Sequence, residues 1–202
     1  MEGWVVVVPV KDPRRGKSRM TAGFGVHRAT LARAMALDTV AAIRAASLVG
    51  DVVLVTDEPD LADEAGVAWH ADPGAGLNAA VRAGLRSVDV DRPRAVVTAD
   101  LPAATPAELD ATLELAQSVE LGVVPDADDV GTTMLTMRAG RTIDPAFGGR
   151  SLAAHVAAGA QRLDVPSAWG LRRDADRPEH LELLASACGP RTAALLASIT
   201  VR

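Results

Sequence analysis

Five cations crowd one short stretch: Lys11, Arg14, Arg15, Lys17 and Arg19 lie in Lys11-Asp-Pro-Arg-Arg-Gly-Lys-Ser-Arg19. The chain as a whole has a formal net charge of −5. A basic cluster on an acidic chain is a local anion site and not a general polyanion-binding field. By itself such a run is usually a solvated loop. Its position makes it a candidate, because it follows directly on the apolar run Trp4–Val10. Asp57 follows a second apolar run, Val52–Val55, and Asp100 follows a third, Ala95–Ala99. In an open α/β sheet, ligands collect beyond the carboxyl ends of the strands. Topology alone therefore brings the basic loop, Asp57 and Asp100 toward one crevice.

Asp100 stands in Thr98-Ala-Asp-Leu-Pro102. A carboxylate there suits Mg²⁺, a hard cation that shares its oxygen shell with phosphates and water. A turn or cap role explains the same aspartate equally well. A second carboxylate must come from elsewhere, and Asp174 and Asp176 in Leu171-Arg-Arg-Asp-Ala-Asp-Arg-Pro178 are the candidates. In an extended Asp-x-Asp both side chains share one side. Their alternative is surface pairing with Arg172, Arg173 and Arg177. Two further segments read as anion-binding loops. Gly131-Thr132-Thr133 offers a backbone N–H and two hydroxyls. Phe147-Gly148-Gly149-Arg150-Ser151 runs into a helix, whose N-terminus attracts carboxylate or phosphate. Ser151 is also the expected cap of that helix.

Other chemistries fit less well. Gly16-Lys17-Ser18 matches the end of a P-loop, but Lys11 stands where that motif needs its first glycine, and Gly23 and Gly25 follow where a helix should open. No Gly-x-Gly-x-x-Gly follows the first strand, which disfavours a dinucleotide dehydrogenase. Gly-x-Ser-x-Gly is absent, and His27, His70, His155 and His180 show no metal spacing. Aromatic residues make up 2% of the chain, so stacking on nucleic-acid bases has little material and no nucleic-acid partner is expected.

The elements that must hold these residues follow from periodicity. The β-branched runs suit strands covered on both faces. Helices are expected over His27–Ala46, Asp60–Ala65, Leu77–Ser87, Thr105–Ser118, Ser151–Ala158, Pro178–Ala187 and Pro190–Ser198. Further strands are expected at Val67–Trp69, Leu121–Val124 and Thr133–Arg138. Thr105-Pro106-Ala107-Glu108 has the composition of a capping box with proline at the first helical position. Alternating strands and helices predict an α/β three-layer sandwich around a mostly parallel sheet. With 202 residues and no linker, one domain over 1–202 is expected. One cysteine, Cys188, excludes an internal disulfide and agrees with a reducing, cytoplasmic setting. The run Trp4–Val10 is too short to span a membrane, and no membrane partner is expected.

Several segments in order carry a resemblance: Val8-Pro-Val-Lys11, Gly16-Lys-Ser-Arg19, Val55-Thr-Asp57, Gly76-Leu-Asn-Ala-Ala80, Ala99-Asp-Leu-Pro102, Gly131-Thr-Thr133, Phe147-Gly148 with Ser151 and His155, and Leu171-Arg-x-Asp-x-Asp-x-Pro178. Together they resemble the 2-phospholactate/phosphoenolpyruvate guanylyltransferases of coenzyme F-420 biosynthesis, over almost the whole chain. Gly149-Arg150, Thr98 and Asp128-Asp129-Val130 depart from that pattern. The resemblance implies a GT-A-like nucleotidyltransferase fold and transfer of GMP from GTP to phosphoenolpyruvate or 2-phospho-L-lactate, releasing diphosphate. It implies Mg²⁺ on Asp100 and Asp174, with Asp176 the lesser candidate. Thr132, Gly148 and Ser151 would hold the acceptor carboxylate. Lys17 would face the triphosphate, and Pro9, Lys11, Arg19, Asp57 and Asn78 would line the nucleotide. Alanine- and arginine-rich usage leans toward an actinobacterium-like source and phosphoenolpyruvate. A reactive enol product implies handover to the next transferase. The rivals are a nucleotidyltransferase for another phosphorylated acceptor, a P-loop-like small-molecule kinase, and a non-catalytic nucleotide-binding protein.

Overall fold

The structure is a computed structural model that describes residues 3–10 and 27–200. Among these residues seven strands form one sheet. They are β1 (Trp4–Pro9), β2 (Val49–Thr56), β3 (Ala68–Ala71), β4 (Arg94–Val97), β5 (Leu121–Pro125), β6 (Thr132–Met137) and β7 (Gln161–Arg162). The order across the sheet is β3-β2-β1-β4-β6-β5-β7. Strands β1 to β4 run parallel, β6 runs antiparallel to both β4 and β5, and β7 lies parallel to β5. The expected mostly parallel sheet is present, with one reversed strand inserted beside β4.

Among the described residues the helices are α1 (Arg28–Ala45), α2 (Pro59–Ala65), α3 (Leu77–Ser87), α4 (Pro106–Ala116), α5 (Ser151–Ala157), α6 (Pro178–Leu184) and α7 (Pro190–Thr200). Their layering follows from the two-residue period of the strands. On β1, Val6 and Val8 pack with Leu37, Val40 and Ile43 of α1 and with Leu109 and Leu113 of α4. Val7 points the other way, into a cluster with Val55, Val96, Leu135 and with Ala80 and Val81 of α3. All six residues of β1 are buried. A central strand covered on both faces needs such an unbroken apolar run.

Helix ends follow the sequence where the caps are local. Thr105 Oγ1 accepts from Glu108 N and Glu108 Oε2 accepts from Thr105 N, closing the predicted capping box. Ser151 is not a cap: Arg150 holds that position and Ser151 is the first helical residue. Another cap comes from afar. Buried Asp38 on α1 accepts from Arg191 N and Thr192 N, satisfying the first turn of α7. This docks the C-terminal helices on α1, where Leu31 and Met35 meet Leu181, Leu195 and Leu196. No helix among the described residues is long and apolar enough to cross a membrane.

Helix α3 lies close to the sheet because Gly84 has no side chain. A Cβ there would stand 2.4 Å from Val7 Cγ1 and 2.6 Å from Val55 Cγ2. Helix propensity alone makes Gly84→Ala stabilising by about 1 kcal/mol. Overpacking costs about 1–3 kcal/mol and both valines are buried in the sheet, so the net change is expected to be destabilising. Urea unfolding of Gly84→Ala reads the sign directly, and a rise in midpoint would contradict this packing.

Candidate active site

The chemistry gathers where β4 ends. The strand stops at Val97, one bond continues from Thr98 N to Thr133 O, and the chain then turns through Ala99 and Asp100. Thr39 of α1 holds this turn: Leu101 N donates to Thr39 Oγ1 at 3.1 Å, and Thr39 Oγ1, which also donates to Met35 O within its own helix, lies 3.4 Å from Ala99 O. Asp100, Asp174 and Asp176 each offer a carboxylate oxygen, and these oxygens lie within 4.8 Å of one another. The three residues are half-buried. Three hard oxygen donors so close suit a divalent cation with oxygen coordination.

The second arm of this cluster is carried by a fastened segment. Ala175 N donates to Asp100 O at 2.9 Å. Ala175 itself is fully buried against Leu31 and Met35 of α1. In an extended Asp-Ala-Asp, burying the middle side chain sends both carboxylates to the opposite side. Just upstream, a short 3-10 turn, Gly170–Arg172, was not foreseen from the sequence. The Glu108 carboxylate accepts from Gly170 N at 3.1 Å and Leu171 N at 3.2 Å. Glu108 thus closes its own capping box and docks a segment 62 and 63 residues away. Gly170 sits so near Ala103 that an added Cβ would fall 1.9 Å from the Ala103 carbonyl oxygen. Arg172 does not pair with the neighbouring aspartates. It is buried and donates to Pro125 O, Asp126 O and Val165 O, and it pairs with Asp129.

On the other side of β4 lie the expected acceptor residues. Thr132 begins β6, is buried, and has its Oγ1 3.0 Å from His155 Nδ1. The loop before it, 126–131, is closed by Asp126, which accepts from Val130 N and Gly131 N. The Gly131 N–H, expected to face a ligand, is therefore used by the protein. Asp129 has φ 57, an uncommon left-handed conformation for a non-glycine residue. Partial desolvation works against its charged form, but hydrogen bonds and charge from Arg162 and Arg172 hold its carboxyl below the ordinary value. Gly148, at φ 103, is exposed, and Ser151 is buried in the first turn of α5.

Asn78 joins this side. Its side chain accepts from Phe147 N at 2.8 Å and donates to Phe147 O at 3.0 Å, clamping the loop before Gly148 onto α3. His155 holds the same loop one residue earlier, accepting from Ala146 N at 2.9 Å. Burial lowers the His155 pKa. Toward the nucleotide side, Pro9 ends β1 and Asp57 lies exposed just beyond β2. Lys11, Lys17 and Arg19, and with them Gly16-Lys17-Ser18, fall outside the described residues. A hollow of about 590 Å³ lined by Arg44, Asp51 and Arg92 opens at the amino ends of β1 and β2, away from all three carboxylates. It has no part in the chemistry described here.

A mostly parallel sheet with a carboxylate cluster at the mouth of β4 defines a GT-A-like nucleotidyltransferase fold. Solved structures share it. One described as a nucleotide-diphospho-sugar transferase, from Desulfovibrio desulfuricans G20, aligns over 99% of this chain and 96% of its own at TM-score 0.75 and 17% identity. A 4-diphosphocytidyl-2C-methyl-D-erythritol synthase aligns over 91% and 97% at TM-score 0.62 and 12% identity. The family model described as "Guanylyl transferase CofC like" matches residues 4–167, and the chain belongs to that family. Two relatives are named phosphoenolpyruvate guanylyltransferase. That of Streptosporangium roseum is 43% identical over 205 residues, covering 98% of this chain and 92% of the relative. That of Streptomyces coelicolor is 43% identical over 209 residues and covers 98% of each.

Gly170 generates the sharpest test of this geometry. Gly170→Ala must push the 170–176 segment from the Asp100 turn, since a methyl group cannot occupy a carbonyl's volume. Divalent-cation affinity, read by Mn²⁺ titration with electron paramagnetic resonance, is expected to fall at least tenfold, on the order of a lost metal-supporting contact. Unchanged affinity would mean that the cation does not depend on bringing Asp174 and Asp176 to Asp100.

Proposed function

We propose that this protein transfers GMP from GTP to phosphoenolpyruvate, releasing diphosphate, as a step of coenzyme F-420 biosynthesis. The observation that carries the reading is the meeting of Asp100, Asp174 and Asp176 at the mouth of β4, in a chain 43% identical over nearly its full length to relatives with that activity in their names. The whole chain, 1–202, acts as one nucleotidyltransferase domain in the cytoplasm.

In this reading a phosphate oxygen of the acceptor attacks the α-phosphorus of GTP. A new P–O bond forms there, the bond from the α-phosphorus to the β-bridging oxygen breaks, and diphosphate departs with that electron pair. Asp100 and Asp174 would hold Mg²⁺, with Asp176 in the same cluster. When bound, the cation neutralises charge on the triphosphate oxygens. The basic loop with Lys11, Lys17 and Arg19 balances the remaining anionic charge. Pro9 and Asp57 border the nucleotide, and Asn78 fastens the loop before Gly148. Thr132, Gly148 and Ser151 bind the acceptor carboxylate with a hydroxyl, a backbone N–H and a helix start. The acceptor phosphate is already an anion, so no strong general base is required. The enol phosphate of the product is reactive, and direct handover to the next transferase protects it.

Diphosphate release from GTP and Mg²⁺ is expected to need phosphoenolpyruvate and to fall at least about a hundredfold in Asp100→Asn, the scale of losing one electrostatic group at a reacting centre. Faster turnover of 2-phospho-L-lactate or another phosphoacid would change the acceptor. GDP in place of diphosphate would select a kinase instead.

A further inference from the structure

Thr132 and His155 form a buried pair whose chemistry the sequence does not announce. His155 is fully buried on α5 and packs edge-on against Phe147. Its two ring nitrogens have different partners: Nε2 faces the Ala146 N–H at 2.9 Å, and Nδ1 faces Thr132 Oγ1 at 3.0 Å. A backbone N–H can only donate, so Nε2 must be the unprotonated, accepting nitrogen. In a neutral imidazole the proton then sits on Nδ1, and His155 donates to Thr132 Oγ1. Burial, which disfavours the charged ring, agrees with neutrality. An imidazolium would also set an N–H against the Ala146 N–H.

The consequence falls on the hydroxyl. A threonine oxygen can accept and donate at once. With one lone pair occupied by His155, the Thr132 hydroxyl proton is aimed away from the ring. A hydroxyl so turned is a donor for an anion and a poor acceptor from a neutral donor. We propose that His155 is a positioning residue that fixes the Thr132 hydroxyl as a hydrogen-bond donor to the acceptor's carboxylate, while its other nitrogen sets the backbone path that leads to Gly148. This rests on the reading that Thr132 and Gly148 face the acceptor. One ring thus couples the two halves of the acceptor site, β6 and the loop 146–148.

Two substitutions separate the two bonds. His155→Gln places its amide near the Nε2 position, so its carbonyl can keep the Ala146 contact while the donor to Thr132 is lost. His155→Asn places its amide near Nδ1, so the donor to Thr132 is kept and the Ala146 contact is lost. For His155→Gln, KM for phosphoenolpyruvate is expected to rise roughly ten- to a hundredfold, the range of a hydrogen bond to a charged group, with KM for GTP unchanged and kcat little altered. His155→Asn is expected to recover most of that KM in a protein of lower thermal stability. Thr132→Val is expected to raise the same KM, and the double variant Thr132→Val/His155→Gln to add nothing further, because both remove one interaction. Imidazole ¹⁵N chemical shifts of His155 in the wild-type protein, without substrate, are expected to report Nδ1 protonated and Nε2 bare. Additive KM effects, or an Nε2–H tautomer, would overturn the positioning role. Wild-type protein that ignores phosphoenolpyruvate would instead overturn the acceptor reading, and the ¹⁵N result would still decide the tautomer.

Discussion

Three carboxylates brought within 4.8 Å of one another are a constraint that the rest of this molecule is arranged to meet. Like charges at that range disfavour one another, so the backbone that carries them must be held in place. Here the backbone is held from several directions. The Asp100 carbonyl accepts from Ala175 N, the Ala175 methyl is buried under α1, and Glu108 receives the amides of Gly170 and Leu171. Gly170 makes the approach to Ala103 sterically possible. A divalent cation in the cluster would convert the repulsion into binding energy, which links metal affinity to the packing of a distant helix start.

The sheet supplies the rigid part of this arrangement. Val7, Val55 and Val96 close one face against α3, and Val6 and Val8 close the other against α1 and α4. Because both faces are covered, β1 and β4 cannot shift without opening both cores. The reversed strand β6 is the second neighbour of β4. It returns antiparallel to β4, so Thr132 enters the sheet beside the exit of β4, next to the turn that carries Asp100. The Asp100 carboxylate cluster and Thr132 thereby lie at neighbouring strands. Asn78 and His155 then fix the loop 146–148 from two separate helices, α3 and α5.

Much was legible in the sequence where the determinant is local. The apolar run Trp4–Val10, the capping box at Thr105 and the interruption-free stretch ending near Ala45 each encode an element within a few residues, and each element is present. The aspartate after the third strand was legible for the same reason: strand ends are read from the end of an apolar run, and α/β topology places such ends together. Choosing between Asp174 and Asp176 was not legible. Their spacing states only that both share one side, and the structure keeps both near Asp100.

What the sequence determined by itself is the class of fold and the set of chemical groups, because periodicity, composition and strand-end position are properties of neighbours along the chain. What only the tertiary structure decided is which groups meet and what occupies each polar atom. Glu108 reads as a cap and also docks the 170s segment. Arg172 reads as an aspartate partner nearby and instead binds carbonyls of the β5 exit. Gly131 N–H reads as a ligand contact and is taken by Asp126. His155 reads as one histidine among four and becomes the hinge between β6 and the glycine loop. The physical reason is common to all four. A hydrogen bond is decided by distance and direction in space, and these partners lie between 5 and 63 residues apart along the chain.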